Sequence, residues 1–285
     1  MIELLGYTFM QRALLMSTVI GAICALIGVY VVLRSMSFIG AGISHASFGG
    51  VALGFLLGIN PFFTAVLFCL AMAWAIGFVS EKKRLREDTA VGIFFAATMA
   101  LGILFISLLK GYNTDLFGYI FGNILAVTRF DIFSGLALAL IVVGTIIFLF
   151  REFLFITFDA EMAEITGLPV RTLNFIMLTL IALTVVISIK AVGIVLVSAL
   201  IVAPAAAALQ LTTSFKKVIW IAVALGIGAS WIGLVLSAIL NIASGATIVL
   251  IATLVFFLAY FFSPQRRSLR IKLRAMKNGQ QNRCE

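Results

Sequence analysis

The chain has 285 residues, of which 63% are hydrophobic and 11% charged, with a formal net charge of +9. A water-soluble domain carries about 25% charged residues, so that class is excluded and the composition is that of a membrane-embedded protein. The basic residues sit beside the ends of apolar runs, where they set topology, so the positive balance does not point to nucleic acid.

Runs without charge cover 13–33, 35–80, 89–109, 132–150, 172–189, 191–215 and 218–265. A spanning helix needs about 20 apolar residues. The runs 35–80 and 218–265 therefore hold two spans each, broken near Asn60-Pro61 and near Asn241–Gly245. The expected fold is all-α and polytopic, with about nine transmembrane helices. It forms a single transmembrane domain over 1–285, with a polar connection at 152–171 and a basic tail at 264–285. The first residues lack a basic region followed by a short apolar stretch and a cleavage site, so no removable signal peptide is expected. With the C-terminal tail in the cytoplasm, sixteen of the twenty Lys and Arg residues fall inside. They are Arg34, the cluster Lys82, Lys83, Arg84 and Arg86, then Arg151, Arg171, Lys216, Lys217 and seven residues of the tail. Only Arg12, Lys110, Arg129 and Lys190 stay outside, and the N-terminus is placed there with them.

In chain order, the first stretch that carries chemistry runs from Ser35 to Pro61. It holds the only histidine, His45, in a segment with no Asp, Glu, Lys or Arg. Around the imidazole stand Gly40, Ala41, Gly42, Ser44, Ala46, Ser47, Gly49 and Gly50, with Gly50-x-x-x-Gly54 and Gly54-x-x-x-Gly58 following. Small side chains let membrane helices approach closely. A titratable ring in such a place is costly, and its default reading is a functional site facing the protein interior. The plainer reading is a histidine that hydrogen-bonds a neighbouring helix.

Residues Gly111–Thr128 are apolar but include Asn113, Asp115 and Asn123. Treating them as a full span would move Arg151–Arg171 outside, so the segment is expected to be a short helix dipping back from the outer face. Irregular backbone at that depth needs protein or a watery cavity around it. The longest polar connection follows, from Arg151 to Thr172. Asp159 is placed as an N-cap with Glu161 in the first turn, where the helix dipole favours negative charge. Gly167 closes the helix and Pro169 prevents its continuation. This short acidic helix is either a solvated connector or a docking element.

Farther on, Pro204 interrupts the run Val192–Leu209, and the alanines after it allow tight helix packing. The last span opens with Ser244-Gly245-Ala246-Thr247. The tail alternates Leu269, Ile271 and Leu273 with Arg270, Lys272 and Arg274, a pattern suited to an anionic membrane surface.

Cys24, Cys69 and Cys284 have no paired spacing, so neither a disulfide framework nor a thiolate metal site is indicated. No G-x-x-x-x-G-K-[ST] loop is present to cradle ATP phosphates, and no bound cofactor is expected. A Ser-His-Asp arrangement would need a carboxylate beside His45, with Asp115 and Asp131 the only candidates near membrane level. One imidazole with one carboxylate suits a borderline divalent cation such as zinc, manganese or ferrous iron. So small a ligand set fits a site that must release its ion on each cycle.

Four blocks together carry a resemblance. They are Ser35–Pro61 with S-H-A at 44–46, D-L-F-G-Y-I-F-G-N-I-L at 115–125, F-D-A-E-M-A-E-I-T-G-L-P-V at 158–170 and L-I-V-A-P-A-A-A-A at 200–208. In this order they resemble the ABC-3 family of metal-uptake permeases, the membrane subunits of ABC importers for zinc, manganese and iron. The resemblance implies a permease for a divalent metal, zinc first, with manganese or iron as alternatives. It implies a second permease chain, cytoplasmic ATPase subunits that carry out ATP hydrolysis, and an extracellular or periplasmic metal-binding protein. The implied setting is a bacterial or archaeal cell (inner) membrane. By position, His45 and Asp115 match the family's metal residues, with Ser44 and Asn123 as weaker candidates. Asp159, Glu161, Glu164, Gly167 and Pro169 match its ATPase-docking segment. Many members have an acidic residue four positions before the histidine, and here that position is Ala41. The competing expectation is a stand-alone secondary transporter or channel for a cation. An intramembrane enzyme is a third, and it lacks a second catalytic group near His45.

Overall fold

A backbone in lipid must satisfy its own hydrogen bonds, and for apolar runs of this length the helix does so. The computed structural model describes residues 7–81, 87–109, 115–124 and 127–263, the side chains of Glu81, Glu87 and 115–117 excepted. The basic cluster at 82–86, Lys110 and the tail at 264–285 lie outside the described residues. The helices are α1 (Thr8–Leu33), α2 (Ser37–Leu57), α3 (Pro61–Glu81), α4 (Glu87–Ser107), α5 (Asp115–Phe121) and α6 (Arg129–Phe148). They continue as α7 (Phe150–Phe158), α8 (Ala160–Ile165), α9 (Val170–Val192), α10 (Val197–Leu211), α11 (Phe215–Leu240) and α12 (Ser244–Phe261). No strand occurs among the described residues.

Eight of these helices are long and apolar enough to cross a membrane. The predicted span within 191–215 is the exception, because α10 has only 15 residues, about 22 Å at 1.5 Å per residue. Its shortness comes from Gly193, whose φ of +94° ends α9 and turns the chain before α10 begins. The two predicted breaks are present. Gly58 adopts φ +66° after α2, Asn60 Oδ1 accepts from the Phe62 amide at 3.0 Å, and Pro61 opens α3. Asn241 caps α11 in the left-handed region before α12 starts at Ser244.

The helices form two groups joined by α9. In one, α2 packs between α3 and α4; in the other, α1, α10, α11 and α12 pack together. Burial separates centre from rim: 78% of the apolar stretch of α9 is buried, against 22% for α4 and for α6. Polar links tie α9 to both groups. Trp74 Nε1 donates to Thr179 Oγ1 at 3.0 Å from α3, and Cys24 Sγ lies 3.1 Å from Ser188 Oγ. Arg34, in the α1–α2 turn, hydrogen-bonds Asn174 Oδ1. Each such bond between membrane helices contributes about 0.6–2 kcal/mol. Close packing supplies the rest.

Small residues set the shortest approaches. A Cβ on Gly50 would stand 2.8 Å from Ala65 Cα of α3, and one on Gly42 would stand 2.5 Å from Val91 Cγ1 of α4. The small-residue surface stops sooner than its spacing suggests, because Gly58 serves the turn and has nothing within 4 Å. On the other side of the molecule, a Cβ on Gly28 would lie 1.9 Å from the Ile201 carbonyl oxygen, which locks α1 to α10.

The dipping helix is α5. Its irregular ends borrow partners from neighbours, as backbone at this depth must. Asn123 N donates to Lys190 O at 3.0 Å, Ile194 N to Tyr119 O at 3.1 Å, and Ile124 N to Ser244 Oγ at 3.2 Å. Gly122, Gly193 and Gly245 meet at this crossing, where a Cβ on any one would fall within 2.6 Å of another segment's backbone. Gly193→Ala should therefore cost at least about 1–3 kcal/mol of local strain. The expected outcome is a thermal midpoint of the detergent-solubilised protein several degrees lower. Gly58→Ala, in open space, should lower it less.

Candidate functional site

His45 lies midway along α2, and its half-buried ring meets Phe95 of α4 edge-on, with centroids 4.8 Å apart and planes at 81°. The imidazole makes no hydrogen bond or ion pair with any described residue, so the plainer reading of a histidine bonded to a neighbouring helix has no partner there. One turn earlier stands half-buried Ala41, a methyl where a carboxylate would reach the same face. Ser44 is fully buried and gives its hydroxyl to Ala41 O of its own helix at 3.0 Å. Ser47 does the same toward Ser44 O. Neither hydroxyl is turned over to His45.

Beside His45, α4 leaves Gly92, Phe95, Ala96 and Ala100 exposed, with Gly92, Ala96 and Ala100 at successive turns. The imidazole thus borders an open, small-residue face of the molecule.

The other predicted site residues are dispersed. Asp115 begins α5, and its side chain lies outside the described residues. Helix α5 is tied to the far end of α2 through the Phe55–Tyr119 ring pair at 6.0 Å, ten residues or about 15 Å along the helix from His45. Asn123 is exposed in the turn after α5. Among the described residues no three His, Cys, Asp or Glu side chains gather to hold a metal. Asp131 is not a partner of His45. It forms a capping box with Thr128 at the start of α6 and pairs with Lys190 Nζ at 2.7 Å. The sequence places Arg129, Asp131 and Lys190 near one face, but their pairing depends on α6 and α9 crossing there.

The segment before α9 folds as a compact unit. Asp159 Oδ1 accepts from Met162 N at 2.9 Å and caps α8. At the other end, Leu168 N donates to Ala163 O at 3.1 Å and Gly167 N to Glu164 O at 3.0 Å, with Gly167 at φ +85°. This pair of bonds is the Schellman arrangement, which a residue without Cβ permits. Pro169 then caps α9. Glu161, Met162, Glu164 and Ile165 are exposed while Ala163 is buried, so α8 stands out as an acidic and apolar knob.

The ABC 3 transport family matches residues 6–263 of this chain. The chain belongs to that family. It is 42% identical over 271 residues to the manganese transport system membrane protein MntC of Listeria monocytogenes, covering 95% of this chain and 96% of that protein. It is 36% identical to the probable iron transport system membrane protein of Haemophilus influenzae, covering 93% of this chain and 98% of that protein. Its fold superposes on PsaBC from Streptococcus pneumoniae, solved in complex with Fab, with a TM-score of 0.86 and 35% identity over 95% of this chain and 98% of that one. The chain is thus a multi-pass permease subunit of an ABC importer for metal, and the stand-alone carrier or channel is set aside.

Loss of the Asp159 cap should destabilise α8 by about 1 kcal/mol. In Asp159→Ala, hydrogen exchange at the Met162 amide should speed up roughly fivefold, with exchange in α9 unchanged.

Proposed function

We propose that this ABC 3 family permease imports manganese or ferrous iron as one half of a homodimer. A separate cytoplasmic ATPase drives it, and an extracellular metal-binding protein delivers the ion. The supporting observation is the imidazole of His45, unbonded and half-buried beside the open face of α4. The relatives named above are described for manganese and iron, and these replace zinc as the first choice. Manganese and ferrous iron stand low in the affinity order for nitrogen ligands. One imidazole completed by waters, backbone carbonyls or a facing chain gives the weak hold that passage requires. Asp115 on α5 supplies negative charge toward the entrance, with Asn123 and Ser44 secondary to it.

The neutral imidazole is the ligand, so uptake falls as the pH drops through the pKa of His45. His45→Asn keeps a polar side chain of similar reach but ligates poorly. It should abolish manganese uptake in proteoliposomes while leaving expression and basal ATP hydrolysis close to the parent chain. Full uptake by the Asn variant would make His45 structural.

The docking residues are Asp159, Glu161, Glu164, Gly167 and Pro169, with Met162 and Ile165 presenting apolar surface between the acids. Reversal of both Glu161 and Glu164 to Lys should weaken co-purification of the ATPase, the loss depending on salt because the contact is partly exposed. Retained association and transport would reduce α8 to a connector.

In the proposed bacterial or archaeal cell (inner) membrane, α8, the α10–α11 turn and the C-terminus face the cytoplasm. Single cysteines at Ala160 and Thr213, in a chain carrying Cys284→Ser, should resist an impermeant thiol reagent in intact cells. Cysteines at Ile59 and Val195 should react. Labelling of Ala160 from outside would overturn both the orientation and the docking assignment.

A further inference from the structure

The segment α7–α8 is continuous with α6 through Leu149 and with α9 through Pro169, and its Phe153, Ile156 and Ala163 are buried in the core. It also meets a set of rings centred on Phe215, the first residue of α11. Its ring centroid lies 5.6 Å from Tyr30 of α1, 5.9 Å from Phe150 at the start of α7 and 6.0 Å from Phe158 at the end of α7. Tyr30 in turn meets Phe153 of α7 at 6.0 Å, and both of these rings are fully buried. Three of these four pairs are edge-on and the Phe150 pair is tilted, geometries that the ring quadrupoles favour over face-to-face stacking.

Beyond Phe215 the helices approach one another closely. Gly21 approaches Gly226 so closely that a Cβ there would lie 2.7 Å from the Gly226 carbonyl oxygen. The contact of Gly28 with Ile201 is closer still. Displacement of α1 or of the start of α11 is therefore shared with α10, since packed interfaces move as bodies. On the near side, Phe158 is followed directly by Asp159, the cap of α8. The Phe215 ring thus lies between both ends of α7 and the α1, α10 and α11 block, beside the direct Tyr30–Phe153 contact.

We propose that Phe215 is a positioning residue that delivers movement of α8 to the α1, α10 and α11 block, so that transport keeps step with ATP hydrolysis. This rests on the reading of α8 as the ATPase-docking element. The ring touches neither the ion nor ATP, and it acts through Phe158, Phe150 and Tyr30. Its loss removes the contact of both ends of α7 with α11 and leaves Tyr30–Phe153 as the ring contact between α7 and α1, a looser link.

The test uses the permease with its ATPase in proteoliposomes and reads three quantities: ATPase co-purification, ATP turnover, and manganese transported per ATP. Phe215→Ala should keep association and turnover while transport per ATP falls roughly fivefold or more. Phe215→Tyr, which retains the ring, should restore it. If Phe215→Ala does not accumulate in the membrane, Phe158→Leu carries the test, since Phe158 is 65% exposed and its ring can be removed without opening a core cavity. Transport per ATP at the parent value in Phe215→Ala, or in Phe158→Leu where that variant carries the test, overturns the proposal. Failure of Phe215→Tyr to restore transport overturns it as well. Failure of the docking reading looks different: ATPase association would then survive reversal of Glu161 and Glu164, whatever stands at position 215.

Discussion

Every part of this permease depends on how a backbone is held where water cannot reach it. Helices satisfy their own amides and carbonyls, so the long apolar runs have one solution. Their mutual packing is another matter, because lipid tails are as apolar as the side chains and association gains little from the hydrophobic effect. Close approach and a few polar links then decide which helices meet. Here α9 takes the centre, with hydroxyl, thiol, indole and guanidinium contacts reaching from it to α3 and α1. Where the backbone breaks at Gly122 and Gly193, against the start of α12 at Ser244 and Gly245, three segments supply one another's partners. The dip exists because that exchange exists.

The same packing isolates the imidazole. On α2, Gly42, Gly49, Gly50 and Gly54 face α3 and α4, and the hydroxyls of Ser44 and Ser47 close on their own helix. His45 is left with an aromatic edge on one side and an open face of α4 on the other. A ring so placed can meet an ion without first giving up a hydrogen bond. Asp131 shows the contrast, since its carboxylate is taken by a helix cap and by Lys190. A titratable group therefore takes its role from the partners that the helices bring to it.

At the other end of the chain's chemistry, α8 is a six-residue helix that needs both of its caps. Asp159 accepts from the Met162 amide at one end, and Gly167 admits the left-handed turn at the other. Short helices are marginal by themselves, so the caps and the buried Ala163 hold α8 in shape. The aromatic group around Phe215 packs against the end of α7 that leads into α8.

The sequence alone determined the class and much of the local structure. Charge-free runs and their breaks at Asn60-Pro61 and Asn241 define helices and turns, because lipid permits only one local answer to an apolar run and Gly, Pro and Asn mark where it ends. The caps at Asp159 and Gly167 were legible for the same reason, their partners lying within five residues. Four spaced blocks carried the family resemblance. The tertiary structure alone decided what depends on contacts between distant segments. It shortened the span at 191–215 to α10, confined Gly58 to a turn, paired Asp131 with Lys190, placed Phe95 against His45 and gathered Phe150, Phe153 and Phe158 around Phe215 and Tyr30. None of these has a periodic signal. A ring or carboxylate at a given position reads the same in sequence whichever helix comes to face it, and close packing, summed over many small contacts, makes that choice.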